Sequence, residues 1–215
     1  MENTRLFNET KQALERQTAT AEVLRIISSS PPDIRPVFRA VVEKTLTLAE
    51  AQTSFLWMYE GEGVFRAIEG TGLLMLQKEW VASAMGKTFH FGPPIFRPDG
   101  PWKSLQIPDM RESEPYRNGD AFWKPTIDQT GIRTLLFVPM LREKRLVGTP
   151  ALSRNEVKPF SDTQIELVKT FANQAVIAIE NVRLFKETQQ SLERQTAVSQ
   201  VLKTISQTTF DLQAV

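Results

Sequence analysis

The sequence predicts an α+β fold: an antiparallel sheet built on hairpins, with helices before, between and after the strands. Three observations predict it. Helix-periodic, Gly- and Pro-free segments occupy both ends, around residues 5–27 and from Ser161 onward. The middle switches to β-rich runs joined by short turn sequences, Glu60–Gly63 and Arg142–Arg145. A capping box then opens the last helix.

The elements follow in order. Residues 5–27 are rich in Glu, Gln, Arg, Leu and Ala, good helix formers. Phe7, Leu14 and Ala21 recur every seven residues, with Thr10, Gln17 and Leu24 between them. This is a heptad with polar seam positions. It reads either as an amphipathic helix on its own domain or as a weak coiled coil with a partner chain, marginal enough to shift between packings. Pro31-Pro32 ends it. Asp33 then caps a helix from Ile34 to about Glu50, with Val37, Phe38, Val41, Val42, Thr45 and Leu46 at helical spacing.

Ser54–Tyr59 and Val64–Glu69 form the first hairpin across Glu60–Gly63. A helix is predicted over Leu73–Met85. Residues 86–103 hold many of the glycines and prolines and read as a loop with a short strand at Thr88–Phe91. A strand at Lys103–Ile107 ends at Pro108-Asp109, and a helix around Asp120–Gln129 is broken near Pro125. Thr134–Met140 and Leu146–Ser153 make the second hairpin. Pro150 removes a ladder donor there, which predicts an edge, a bulge or a local break. In the final helix Ser161 and Gln164 form the capping box, with Phe160 set to staple against Ile165. Its apolar residues form two stripes, Ile165, Val168, Ala172, Ala175, Ile179 and Val182, and Phe171, Ala175, Ala178, Val182 and Phe185. Two stripes need two covers: the sheet on one side and a second helix on the other, most simply from a second subunit. No breaker precedes Phe210, so one rod can run into the C-terminal segment.

Composition removes several functions. The 215 residues predict one to two domains at roughly 150 residues each. The net charge of +1 lacks the basic excess of a nucleic-acid binder, and 41% hydrophobic with 24% charged residues is ordinary globular composition. Zero cysteines exclude disulfides, thiolate metal sites, a thiol nucleophile and a thioether-linked chromophore, and a single histidine excludes a two-histidine metal site within one chain. No apolar run approaches the ~20 residues of a membrane span, and the polar start is unlike a secretory leader. The expectation is a cytoplasmic fragment without membrane contact.

The two ends repeat each other. Residues 2–37 match 180–215 at a constant offset of 178, with 20 of 36 positions identical. Glu180–Thr188, Leu192–Ala197 and Val201-Leu202 carry most of the match, and Phe185, Leu192 and Ser199 repeat the heptad. Such a period is a whole domain plus connector, so the chain reads as one period of a tandem array cut from a longer protein. The expected organisation is a signalling and dimerisation helix at 1–30, a domain at 31–182, and a connector with the start of the next repeat at 183–215.

Three motifs carry a family resemblance. Leu135–Met140, Arg142–Arg145 and Leu146-Val147-Gly148 resemble the "VPL…G.(V/L)(I/L)G" hairpin of GAF domains. Pro159–Leu167 followed by Phe171–Asn181 resembles the family's "PF(S/T)D.QI.LL..FA.QA.IAIEN" helix, and Ile107-Pro108-Asp109 its strand-end "IPD". The repeats resemble tandem GAF sensors upstream of histidine kinases or nucleotide cyclases in bacteria. The resemblance spans about residues 33–182. It implies a central antiparallel sheet with the N- and C-terminal helices packed on one face, forming the dimer bundle, and a ligand pocket on the other. It implies a non-catalytic sensor in a two-component or similar system, relaying small-ligand occupancy to an output domain; a ligand-free dimerisation spacer is the alternative. The cyclic-nucleotide signature is absent, since Asp162 and Gln164 follow Phe160 where it requires Asp-Glu. Without cysteine, the bilin-binding and sulfoxide-reductase branches are excluded too.

The candidate pocket residues are Trp57, Phe65, Trp80, Phe89, His90, Asp109, Trp123 and Arg133. The aromatic residues are pocket walls or simply core; Trp102, Phe122 and Trp123, in polar loop contexts, suit a lid or an exposed contact. His90 is an axial haem ligand or pH sensor, or merely solvated, and Arg133 could anchor an anion. Asp109, Glu112 and Glu114 read as solvated surface rather than a cation site. The dimer candidates are Phe7, Leu14, Phe171, Ala178, Val182 and Phe185. No cofactor, metal or catalytic residue is expected. The expected partners are a second copy, an output domain in the same chain and an unidentified small molecule, with no nucleic acid.

Overall fold

The computed structural model describes residues 34–91 and 102–211, with 201–211 as backbone alone. The predicted N-terminal heptad helix, with Phe7 and Leu14, and the Asp33 cap lie outside these residues. The first described helix, α1, spans Arg35–Leu48, with Ile34 at its N-cap and Pro36 in its first turn, where the missing N–H costs nothing. Strands β1 (Thr53–Gly61) and β2 (Val64–Gly72) follow as a hairpin. Its two turn residues, Glu62 and Gly63, both have positive φ, the geometry that matches strand twist in a two-residue loop.

The helix predicted over Leu73–Met85 is divided. A 3₁₀ turn, Leu73–Leu76, precedes helix α2, Lys78–Ala84. The Leu73 N–H donates to Gln52 O and the Leu74 N–H to Thr53 Oγ1, which ties this start to the sheet rather than to a continuous helix. Strand β3 (Thr88–His90) pairs with β2, and β4 (Leu105–Ile107) follows. After a 3₁₀ turn at Met110–Glu112 come the short α3 (Glu114–Arg117) and α4 (Trp123–Thr130). Pro125 does not break α4. It sits in the first turn, where amides have no intrahelical acceptor, and Asp120 Oδ1 caps the Phe122 and Trp123 N–H groups at 2.9 and 2.8 Å.

Strands β5 (Thr134–Phe137), β6 (Met140–Arg142) and β7 (Arg145–Arg154) complete one antiparallel sheet in the order β3-β2-β1-β7-β5-β4, with β6 also on β7. The single strand expected over Thr134–Met140 is split at Val138-Pro139. Gly148 of β7 crosses Trp57 so closely that a Cβ would stand 2.5 Å from its carbonyl oxygen, so this crossing needs glycine.

Pro150 lies in the middle of β7, not at a sheet edge: it pairs with Leu56 in β1, and on its other flank the ladder is locally broken between β5 and β6, one of the three expected outcomes. Its absent N–H points toward the gap between those two strands. The Val138 N–H still donates to Pro150 O at 3.2 Å. The Val138 carbonyl, which a residue-150 amide would have satisfied, accepts instead from the Thr149 hydroxyl at 3.0 Å. A neighbouring side chain thus substitutes for the donor that proline lacks.

The last helix, α5, is continuous from Asp162 to Asp211. Its capping box is formed, with the Ser161 N–H donating to Gln164 Oε1 at 3.1 Å and the Gln164 N–H to Ser161 Oγ at 3.3 Å. α1 and α5 cover one sheet face. There Val37, Val41 and Val42 of α1 meet Leu56, Leu136 and Leu152 of the strands and Val168, Phe171, Ala175 and Ala178 of α5. The second cover for α5 is therefore α1 of the same chain, not a second subunit. Phe171, Ala178 and Val182 are buried in this layer and offer no surface to another copy, a correction to their assignment as dimer contacts. No helix among the described residues is long and apolar enough to cross a membrane.

Thr149→Val keeps the shape of the strand but leaves the buried Val138 carbonyl without a donor. It should lower unfolding free energy by about 1–2 kcal/mol in urea melts. An unchanged midpoint would remove the substitute-donor role.

Candidate functional site

The site lies on the sheet face opposite α1 and α5. Strand alternation builds its floor: Thr53, Phe55 and Trp57 of β1 face it while Leu56 faces the helices, and Ala151 and Ser153 of β7 face it while Leu152 does not. Leu135 adds the β5 side. The cover comes from Leu74, Trp80, Phe122, Trp123, Thr126 and Ile132. Phe55 and Trp80 meet edge-to-face at 5.0 Å, as do Phe122 and Trp123 at 4.9 Å. The Trp80 Nε1–H donates to Thr126 Oγ1 at 3.4 Å, giving the buried indole its partner across α2 and α4. The remaining cavity is about 30 Å³, room for one or two waters.

Of the predicted pocket residues, Trp57, Trp80 and Trp123 line this cavity. Phe65 and Phe89 belong to the same aromatic cluster without reaching the wall. Phe89 packs on Trp57 and Phe122 at 5.8 and 4.6 Å. His90 stands exposed on edge strand β3 opposite Val64, because alternation sends Phe89 inward and its neighbour outward. It does not line this cavity. Asp109 and Arg133 do not line it either. They form a two-pronged ion pair, Nη2 to Oδ2 at 2.5 Å and Nε to Oδ1 at 2.9 Å, so Arg133 is committed to its own chain rather than to an anion in the cavity. Hydrogen bonding to Arg133 holds the Asp109 carboxyl below its ordinary value, and the same bond raises Arg133. Glu112 pairs separately with Arg117 at 2.6 Å. Among the described residues, no three His, Cys, Asp or Glu gather as a metal site.

Thr53, Phe55, Leu74, Thr126, Ile132, Leu135, Ala151 and Ser153 were not singled out by sequence reasoning. Period-two alternation from Trp57 reaches Phe55 and Thr53, and i, i+3 spacing from Trp123 reaches Thr126. Nothing local marks Ala151 or Ser153, which matter only because β7 lies beside β1. Chemically, aromatic rings and three hydroxyls can bind and orient a molecule.

Beyond Val182, α5 leaves the domain. It continues for about 44 Å at 1.5 Å per residue to Asp211. Ile177, Leu184, Phe185, Leu192 and Val198 are about half exposed or more on it. Ile177, Leu184 and Val198 lie on the side of the helix turned away from its buried face. Glu180 accepts from Arg142 of the β6–β7 hairpin at 2.8 Å and also from Arg183, which bonds Glu187 in turn.

An antiparallel sheet with helices α1 and α5 on one face and an aromatic cavity on the other defines a two-layered α+β domain. The chain belongs to the GAF domain family, whose model matches residues 33–179. GAF domains are sensory and regulatory modules of signalling proteins, generally non-catalytic. Solved structures agree in fold. A GAF domain from a phosphoenolpyruvate-protein phosphotransferase of Coxiella burnetii superposes with TM-score 0.61 at 15% identity, covering 81% of this chain and 98% of that one. A domain of a protein assigned as a two-component sensor histidine kinase from Sinorhizobium meliloti 1021 gives 0.58 at 20%, covering 74% and 98%. The blue-light absorbing form of the Thermosynechococcus elongatus PixJ GAF domain gives 0.58 at 16%, covering 77% and 98%. No curated protein matches the chain.

Asp109 with its carboxyl held low stabilises the fold above its ordinary value of 3.8, and that contribution is lost as pH falls through the lower folded value. Asp109→Asn should therefore flatten the acid limb of a stability–pH curve below 3.8 relative to the parent. Parallel curves would place the ion pair outside the acid response.

Proposed function

We propose that this GAF domain is a non-catalytic regulatory module. It dimerises through the exposed stripe of α5 and passes changes at the aromatic cavity along that helix to an output domain in the same cytoplasmic protein. One observation carries the reading: α5 is a single helix with one face in the domain core as far as Val182 and a run of apolar residues beyond it, Leu184, Phe185, Leu192 and Val198, that are about half exposed or more among the described residues. A helix so exposed is marginal by itself and gains stability from a second copy. The repeated segment at an offset of 178 residues supports a tandem arrangement in which each domain feeds the next through such a helix. The sensor histidine kinase neighbour supports a kinase as one class of output, and a nucleotide cyclase is the other.

A ligand-free spacer is the second reading, favoured by the small cavity of about 30 Å³ and by the burial of Trp57, Phe65 and Trp80. A thermal-shift screen against a metabolite library separates the two, since a ligand stabilises only the state it binds. A shift supports the sensor, and a flat screen with an intact dimer supports the spacer.

Light scattering on the full chain should give a dimer. Leu184→Glu or Leu192→Glu should weaken it at least tenfold, about 1.4 kcal/mol, without lowering the melting temperature of the domain, because neither side chain enters the core. A parent chain that stays monomeric at high concentration would sink the dimer reading.

A further inference from the structure

We propose that the cavity receives a neutral aromatic ring, and that Phe122 is its built-in occupant, displaced when the ligand binds. The proposal rests on the sensor reading and names the ligand class and the gate of that same site.

The lining argues for neutrality. Among the described residues no charged side chain lines the cavity; its polar lining residues are Thr53, Thr126 and Ser153, beside the indoles of Trp57, Trp80 and Trp123. A buried carboxylate, phosphate or ammonium would lose its hydration with no countercharge in return. The neighbouring cations are engaged elsewhere. Arg133 holds Asp109, Lys124 holds Asp128 at 3.0 Å, and Arg154 lies on the opposite sheet face among backbone carbonyls.

The walls argue for a ring. Phe122 sits among four others, its centroid 4.6 Å from Phe89, 4.9 Å from Trp123, 5.2 Å from Phe91 and 6.2 Å from Trp57. The site therefore already accommodates an aromatic ring, supplied by its own chain. It is also the movable one. Of the twelve residues lining the cavity, eleven are buried and Phe122 alone is only partly buried. Its backbone is fixed by the Asp120 cap, and Gly119, Asp120 and Ala121 before it are exposed. Rotation about χ1 can swing the ring into solvent without unwinding α4. The space vacated, joined to the cavity behind it, is that of one substituted benzene ring. The ligand's own ring then takes up the ring–ring packing that Phe122 gives up, so the exchange is nearly balanced and a small molecule can drive it.

The test uses the full chain and three probes that share one ring: benzyl alcohol, benzoate and benzylammonium, followed by calorimetry. Phe122→Ala, which removes the occupant, should bind benzyl alcohol at least tenfold more tightly than the parent. Both charged probes should bind at least tenfold more weakly than benzyl alcohol to either protein. Ala151→Trp, which fills the floor from β7, should abolish binding. A folded Phe122→Ala protein, with a cooperative melt, that gains no affinity overturns the proposal, as does benzoate or benzylammonium binding as well as the alcohol. If Phe122→Ala does not fold, Phe122→Leu carries the test with a several-fold gain, and no gain overturns it. Crosslinking along α5 keeps the two readings apart. Benzyl alcohol binding with α5 unchanged supports the ligand class against the relay, whereas a charged ligand that alters α5 supports the relay and overturns the ligand class.

Discussion

The guanidinium of Arg154 joins the parts of this domain that the chain brings together from far apart. It ends β7, the strand between β1 and β5, and is 2% exposed. Its Nη2 donates to Ala49 O at 2.8 Å and its Nε to Glu50 O at 3.4 Å, at the end of α1. Its Nη1 donates to Lys158 O at 2.6 Å and Pro159 O at 3.2 Å, in the segment that leads into α5, and the group lies 4.1 Å over the Phe160 ring. Burial pushes its pKa down from the ordinary value, yet arginine remains charged. What compensates the charge is a cage of carbonyl dipoles, including those at the negative end of α1. Gln164 adds a second tie, donating to Ala49 O at 2.9 Å. One cation thus ties the end of α1, the end of β7 and the segment leading into α5.

The sheet separates two interiors with different chemistry. Toward the helices it presents Leu56, Leu136 and Leu152, aliphatic residues that suit close helix packing. Toward the cavity it presents Phe55, Trp57, Leu135 and Ala151, a surface for rings. Neighbouring residues on the same strands serve the two sides, so a shift of β1 or β7 at the cavity moves Leu56 or Leu152 beneath α1 and α5. The Arg142–Glu180 pair adds a second link, from the β6–β7 hairpin to α5 at the point where the helix departs.

Legibility in the sequence followed the range of the interaction. Period two in β1, the two hairpin turns and the Ser161–Gln164 box depend on residues close in the chain, and each was readable. The aromatic character of the site was readable for Trp57, Trp80 and Trp123, since large rings at strand or helix positions are seldom left in water. The partner of Arg133 is not legible locally, because Asp109 lies 24 residues away, whereas for His90 the solvated alternative is the one that period-two alternation along β3 produces. At Pro150 the sequence shows the missing donor and hence the local break, but not the Thr149 hydroxyl that replaces the donor at a carbonyl beyond that break.

By itself the sequence determined the α+β class, the order of the elements, the capped start and unbroken course of the last helix, and the 178-residue repeat, because each rests on local propensity or direct identity. Only the tertiary structure decided that α1 packs on α5 as far as Val182, that Phe171 and Val182 are core while Leu184 and Leu192 are exposed, and that the aromatic site packs around Phe122 to leave about 30 Å³. Those outcomes depend on which side of the sheet each segment crosses. That choice is made by long-range packing, to which a one-dimensional pattern of residues is indifferent.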